Sequence, residues 1–289
     1  MDKFALLLAT LFLVSAPMTA RPQTANSSAP ASASKPGDPA PTDIFLLIGQ
    51  SNMAGRGTVE DIDREVLPGI WALSQNLTWV PAVDPIHYDK PERNPGVGIA
   101  RTFAKTLQLA RPTAQIGLVP AAVGGSSLEQ WAVGGEFYKE AIRRTQIALA
   151  NGGKLRGILW HQGESDANSK DLASSYGDRW IKIMTALRAD LKAPNVPIVV
   201  GQLGPFLQVS NYAFAGAVNT ELASLAARFP TVAFVTSGGL KDRGDQLHFD
   251  SPSLREFGRR YAHAFMMLDP TWIANPPPAL VRQPAAPTQ

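Results

Sequence analysis

The sequence predicts an α/β fold: a three-layer α/β/α sandwich built around a parallel sheet. Short apolar runs rich in β-branched residues alternate along the chain with longer segments of helical periodicity. This alternation is typical of βαβ units, in which helices cover both faces of a parallel sheet. The pattern extends over about 225 residues, a length that suits one domain with a single core. We therefore expect ligands to bind at the carboxyl ends of the strands.

The individual elements follow from their apolar patterns. Strands are predicted at residues 44–48, 116–119, 155–160, 197–203 and 232–235. Helices are predicted at about 97–109, 137–150, 172–191, 215–228 and 253–268, where apolar residues recur three and four apart. Residues 56–93 have too little periodicity for either element, and we expect them to form an irregular wall of the binding cleft.

Both ends of the chain differ in composition from the middle. Residues 1–20 combine Lys3 with an apolar run and then small residues, which predicts a signal peptide and a secreted or periplasmic protein. The run is too short for a confident membrane span, so no span is expected after its removal. Residues 21–42 are predicted to be a Pro/Ala/Ser-rich linker and 270–289 a Pro-rich tail, with the domain at 43–269. Trp272 and Ile273 of the tail can still pack onto the domain.

Composition excludes several classes of function. The chain contains no cysteine, which removes disulfide frameworks, thiol catalysis and zinc-thiolate or iron–sulfur sites. Its formal charge is only +3 and no basic runs occur, so no nucleic-acid partner is predicted. Phosphate-binding glycine loops, HExxH and EF-hand patterns are missing from the sequence. We therefore predict no metal and no other cofactor, and nothing specifies an oligomeric state.

The strand at 44–48 runs directly into Gly49, Gln50 and Ser51. This places Ser51 just beyond the carboxyl end of a strand, where ligands bind in open α/β sheets. Many hydrolases present a nucleophilic serine in this way. Serines also cap helices, so Gly-x-Ser leaves the capping interpretation open until a base and an orienting acid are found.

Asp245 and His248 could supply that base and acid. Residues three apart in a turn can bring their side chains together, so that Asp245 accepts a hydrogen bond from one imidazole nitrogen while the other faces a nucleophile. Alternatively, Asp245 caps a turn and His248 packs on the surface. Of the other histidines, His87 lies in a Pro- and Asp-rich loop, His161 follows a predicted strand and His263 lies within a predicted helix.

Two further strands run into glycine-containing polar loops. The first loop contains Gly124 and Gly125, whose backbone N–H groups could approach a developing oxyanion. The second contains Gln162, whose side-chain amide could add another donor. Both loops can equally be plain strand-to-helix turns.

Together, these segments resemble the SGNH (GDSL-like) hydrolase superfamily, in its sialate O-acetylesterase-like and acetylxylan esterase branch, carbohydrate esterase family six. The resemblance spans about residues 43–268. The motifs that carry it are GQSNMAG at 49–55, DPIH at 84–87, NPGVGIARTFA at 94–104, LVPAAVGGSSLEQW at 118–131, WHQGESD at 160–166 and DQLHFD at 245–250. This resemblance independently implies the flavodoxin-like three-layer fold.

The resemblance also implies roles for individual residues. Ser51 would be the nucleophile, and Asp245 and His248 would complete the triad. The oxyanion donors would be the amides of Ser51 and Gly125 together with the side chain of Gln162, where the wider superfamily usually has an asparagine. Glu164 could instead orient the histidine, hold the Gln162 loop or act as a second carboxylate in the site.

The predicted function is removal of O-acetyl groups from carbohydrates, with an acetylated carbohydrate as partner. Trp131, beyond the Gly-Gly loop, could stack on a sugar ring, or it could be a core aromatic that closes the loop. Two alternatives remain open. One is a non-catalytic carbohydrate-binding protein on the same fold, and the other is a lipase or thioesterase of the superfamily.

Overall fold

The computed structural model describes residues 40–89, 95–150, 152–209 and 212–273. The predicted signal peptide, nearly all of the predicted linker and most of the tail lie outside these residues. Seven strands form one sheet in the described ranges: β1 Asp43–Gly49, β2 Ile70–Leu73, β3 Trp79–Pro81, β4 Ile116–Pro120, β5 Lys154–His161, β6 Ile198–Gly201 and β7 Val232–Val235. The α-helices are α1 Ser51–Ala54, α2 Asp61–Arg64, α3 Ala100–Ala110, α4 Glu136–Leu149, α5 Lys170–Ser174, α6 Tyr176–Asp190, α7 Ala215–Arg228 and α8 Ser251–Leu268.

The strand order across the sheet is β3-β2-β4-β1-β5-β6-β7. All neighbouring strands run parallel except β3, which is antiparallel to β2. The five strands predicted from the sequence form the contiguous series β4-β1-β5-β6-β7, which is the flavodoxin order with its switch point beside β1. The predicted fold class is therefore confirmed.

Strand β1 shows why the sheet needs cover on both faces. All seven of its residues are buried. Ile44, Leu46 and Ile48 belong to a core cluster that includes residues of α4, α6 and α7, whereas Phe45 and Leu47 belong to a second cluster with residues of α3 and α8. A strand buried on both faces gives a continuous apolar run rather than an alternating one, as its sequence does.

Three local predictions differ from the structure. The segment 56–93 is not irregular throughout, because it contains β2 and β3, strands too short to show a period. The helix predicted at 172–191 is two helices, α5 and α6, separated by Ser175, whose hydroxyl donates to the Asp171 carbonyl at 2.7 Å, a contact that often bends a helix. Helix α3 starts three residues later than predicted, because Val97 pairs with Gly57 in an antiparallel bridge instead.

The first residues of the tail pack onto the domain as expected. Trp272 is fully buried, and its indole N–H donates to the carbonyl of Leu107 at 2.9 Å. Its ring meets those of Phe45 and Phe265 edge-on. Among the helices in the described ranges, none is long and apolar enough to cross a membrane.

Candidate active site

A cleft of about 330 Å³ opens at the carboxyl ends of β1, β4 and β5, next to the switch point of the sheet. Its lining residues are Gln50, Ser51, Arg56, Gly124, Gly125, Glu164, Ser165, Tyr212, Arg243, Asp245, Leu247 and His248. A larger cavity of about 550 Å³ includes residues from the amino ends of β5 and β6, but none of the predicted site residues line it. The cleft is therefore the candidate site.

The turn after β1 delivers Ser51 to the cleft. Gly49 has φ +133°, and a Cβ at this position would lie 2.1 Å from the carbonyl oxygen of His161, so only glycine fits. Ser51 is then the first residue of α1, with 5% of its surface exposed. Its hydroxyl oxygen lies 3.0 Å from Nε2 of His248.

The loop before α8 carries both His248 and Asp245. Nδ1 of His248 lies 2.7 Å from Oδ2 of Asp245, while Oδ1 accepts the backbone N–H groups of Leu247 at 3.0 Å and His248 at 2.8 Å. Burial raises the pKa of the Asp245 carboxyl, but the hydrogen bonds from the backbone and ring of His248 outweigh it, so the net pKa is lowered. An ionised carboxylate here favours a proton on Nδ1 and leaves Nε2 to accept one from Ser51.

The other three histidines do not contact Ser51. Burial lowers the pKa of His87 to about 4, so its ring is neutral at physiological pH. His161 is fully buried, with Nδ1 3.1 Å from the hydroxyl of Tyr261. His263 is exposed on α8. His248 is therefore the histidine placed to act as a base toward Ser51.

The backbone N–H groups of the two glycines in the Gly-Gly loop have different surroundings. The N–H of Gly124 donates to Oδ2 of Asp89 at 2.7 Å, and the same oxygen accepts from Arg56 at 2.9 Å. Gly125 lines the cleft in a left-handed conformation, φ +72°, and its N–H has no acceptor among the described residues. Of the pair, Gly125 thus has the N–H available to a ligand.

Gln162 is not among the residues that line the cleft. It is fully buried, and its Nε2 lies 2.7 Å from Oδ2 of Asp166, 3.0 Å from the carbonyl of Ser126 and 3.2 Å from Oε1 of Gln50. Three acceptors already surround its two N–H bonds. Its role as an oxyanion donor stays a prediction, and it would require the amide to leave some of these partners.

Of the two glutamines, Gln50 is the one that lines the cleft. Its Oε1 faces the backbone N–H groups of Gly163 at 3.4 Å and Ser165 at 3.3 Å, in addition to Gln162. Its Nε2 has no acceptor in the described part of the chain, and the residue lines the cleft while only 2% exposed. The sequence offered no signal for this difference in position, because both residues are glutamines in polar loops.

Glu164 does not contact His248. Its Oε1 accepts from Nδ2 of Asn52 at 2.6 Å and lies 3.6 Å from Nε2 of His161. Burial raises its pKa, but the adjacent His161 ring and the hydrogen bond from Asn52 outweigh that effect, and the net pKa is lowered. Of the two carboxylates considered as orienter of the histidine, only Asp245 has that geometry.

The sugar-stacking interpretation of Trp131 is wrong in this structure. Trp131 is only 1% exposed, its indole N–H donates to the hydroxyl of Ser126 at 2.9 Å, and its ring meets Trp160 edge-on. It is the core aromatic that closes the Gly-Gly loop. The aromatic side chain that lines the cleft is Tyr212, in a segment without a recognisable sequence pattern.

Known proteins resemble this chain in sequence and in fold. Residues 41–267 match the model of the family described as "Carbohydrate esterase, sialic acid-specific acetylesterase". A probable carbohydrate esterase of Arabidopsis thaliana is 33% identical over 244 residues, which are 78% of this chain and 91% of that protein. The X-ray structure of the Arabidopsis protein superposes with a TM-score of 0.71 at 32% identity, covering 78% of this chain and 98% of the other. NanS shares the fold, with a TM-score of 0.66, 20% identity and coverage of 80% and 98%.

Proposed function

The chain belongs to the carbohydrate esterase family described as sialic acid-specific acetylesterases, and from that premise we propose that it is a serine esterase that removes O-acetyl groups from carbohydrates. One observation carries the mechanism: a continuous hydrogen-bond path from Ser51 through His248 to Asp245, with distances of 3.0 and 2.7 Å, at the wall of the cleft. Such a path is the geometric mark of nucleophilic acyl transfer.

The reaction would proceed in two steps. Nε2 of His248 takes the proton of Ser51 as its oxygen attacks the acetyl carbonyl, and the same ring then protonates the departing sugar oxygen. The acetyl group is now bound to Ser51. Water, deprotonated by His248, releases acetate and restores the serine. The negative oxygen of each tetrahedral intermediate is held by the amides of Ser51 and Gly125, supplemented by a glutamine side chain.

The substrate would be a small acetyl ester on a polar scaffold. The cleft is lined mainly by polar and charged side chains, and Tyr212 offers the aromatic face on which a sugar ring can stack. The signal peptide expected at residues 1–20 would place the enzyme in the periplasm or outside the cell. Acetylated xylan and O-acetylated sialic acid both fit this chemistry.

The test is acetate release from acetylated xylan, from O-acetylated sialic acid and from p-nitrophenyl acetate, beside cleavage of long-chain p-nitrophenyl esters. We expect rapid turnover of short acetyl esters and poor turnover of long chains, because the described residues that line the cleft are mainly polar and form no long apolar channel. Preference for long chains would favour a lipase or thioesterase. Binding of acetylated glycans without any acetate release would favour a non-catalytic carbohydrate-binding protein.

Substitution of Gln50 and substitution of Gln162 should have different effects, depending on which side chain is the third oxyanion donor. We expect Gln50→Met to lower kcat by roughly two orders of magnitude, because it removes an amide that lines the cleft, and to lower Tm as well, because its Oε1 faces three N–H groups. Gln162→Met should lower Tm with little loss of kcat, since it removes one hydrogen bond from the buried Asp166 carboxylate, which keeps the N–H of Leu128, and one from the Ser126 carbonyl, at a cost of about 1–3 kcal/mol. Steady-state kinetics and thermal melts of both variants check this. A larger kcat loss in well-folded Gln162→Met would assign the role to Gln162.

A further inference from the structure

Asn52, the residue after the proposed nucleophile, is fully buried. Its side chain forms hydrogen bonds with the backbone of the residues before and after His248, Leu247 and Phe249. Its Nδ2 donates to the carbonyl of Leu247 at 3.2 Å. Its Oδ1 accepts the backbone N–H of Phe249 at 3.1 Å. One amide therefore binds the peptide groups immediately before and after the histidine.

The loop around His248 needs such an anchor. Residues 243–245 are exposed, and Gln246 adopts the left-handed conformation, φ +55°. Asp245 is itself 39% exposed in its side chain, so the acid that orients the ring has little support from packing. Exposed loops move more than the elements that they connect. The amide of Asn52 ties this loop to α1, the same four-residue helix that carries Ser51.

Glu164 determines which way the amide of Asn52 faces. Its Oε1 accepts from Nδ2 of Asn52 at 2.6 Å, so the nitrogen is directed toward Glu164 and Leu247 and the oxygen toward Phe249. If the amide were flipped, Oδ1 of Asn52 would lie 2.6 Å from Oε1 of Glu164, and the two oxygens would repel each other. Behind Glu164 lies the buried ring of His161, whose Nε2 is 3.6 Å from the same carboxylate oxygen.

We propose that Asn52, oriented by Glu164, is a positioning residue that fixes the distance between His248 and Ser51. The proposal rests on the proposed esterase function, in which that distance limits the rate. Neither side chain has to touch the reacting atoms. Their effect is to join the base and the nucleophile through one short helix, so that the two cannot drift apart. A displacement of about 1 Å at a reacting centre can cost two orders of magnitude in rate.

The first test is Asn52→Ala, measured by steady-state kinetics on p-nitrophenyl acetate. We expect kcat to fall by about a hundredfold while KM changes little, because the cleft walls that bind substrate remain. Asn219→Ala is the matched control. Asn219 binds the backbone of Leu203 in the same manner, accepting from its N–H at 2.8 Å and donating to its carbonyl at 3.4 Å. The control should lose comparable stability and keep its kcat.

A second variant separates positioning from simple loss of structure. Asn52→Asp sets two carboxyl groups side by side, which share a proton at low pH and repel each other once it leaves. The ratio of variant to wild-type kcat should therefore fall as pH rises. In the double variant with Glu164→Gln, the amide at position 164 can donate to the carboxylate at position 52. The double variant should therefore recover activity, and the ratio of its kcat to that of the wild type should no longer depend on pH.

Proton NMR of the free protein gives a readout that needs no substrate. The Nδ1 proton of His248, held against Asp245, should give a low-field resonance in the wild type that broadens or disappears in Asn52→Ala. If wild type hydrolyses no acetyl ester, the proposed function fails, and this resonance still tests the positioning role. Unchanged kcat in folded Asn52→Ala, or an unchanged resonance, would overturn the proposal. If Asn52→Ala does not fold, a flat kcat ratio for Asn52→Asp across pH would overturn it.

Discussion

Ser51→Ala is expected to lower kcat for acetyl ester hydrolysis by about six orders of magnitude, to the background left by the remaining binding groups. The variant keeps the cleft, the amide of residue 51 and the His248–Asp245 pair. It loses the oxygen that lies 3.0 Å from the base, and with it the acyl-enzyme. Kinetics on p-nitrophenyl acetate, with folding matched by circular dichroism, measure the loss.

The appropriate control is Ser224→Ala. Ser224 lies on α7, and its hydroxyl donates to the Glu221 carbonyl at 2.7 Å, outside the residues that line the cleft. It should retain full activity. Mass spectrometry after a fluorophosphonate probe should show one adduct in the wild type and none in Ser51→Ala. A Ser51→Ala variant that still turns over acetyl esters at an appreciable rate would exclude Ser51 as nucleophile.

Asp245→Asn is expected to reduce kcat by about four orders of magnitude. An amide at this position can donate to Nδ1 of His248, which favours the tautomer whose proton is on Nε2 and faces Ser51. That ring cannot accept the serine proton. Steady-state kinetics of the variant measure the loss. Asp242→Asn in the same loop is the control, since Asp242 only accepts backbone N–H groups, from Gly244 at 3.0 Å and Gln246 at 2.8 Å.

The same substitution should alter stability in a pH-dependent way. The folded pKa of Asp245 lies below its usual value, so the carboxylate contributes stability above the unfolded-state pKa and loses it as pH falls through the folded one. Thermal melts should therefore show Asp245→Asn less stable than wild type at neutral pH, with the difference shrinking in acid. Activity of Asp245→Asn close to that of wild type would remove Asp245 from the mechanism and direct attention to Glu164.

The central strands and the position of the proposed nucleophile were predictable because both depend on local signals. A strand buried on both faces must be apolar throughout, and β1 is so from Ile44 to Ile48. A glycine is required where the chain turns past His161, and Gly49 marks that turn. The pair Asp245 and His248 was also predictable, because residues three apart in a tight loop can bring their side chains together.

The side chains behind the cleft could not be predicted in this way. Gln50 and Gln162 carry the same amide, and their different surroundings depend on which acceptors the fold places nearby: Asp166 and Ser126 surround Gln162, whereas Gln50 lines the cleft. The burial of Trp131 likewise follows from contacts with residues distant in sequence.

Short-range periodicity and local turn chemistry encode the five central strands, the turn that presents Ser51 and the pairing of Asp245 with His248, so the amino-acid sequence alone was enough to predict them. The tertiary structure decided which glutamine and which aromatic line the cleft, that Glu164 supports Asn52 rather than the histidine, and that Asn52 contacts a loop 195 residues away. Those choices depend on packing and hydrogen bonds between segments far apart in the chain. Such contacts exist only once the sheet has brought its carboxyl edges together.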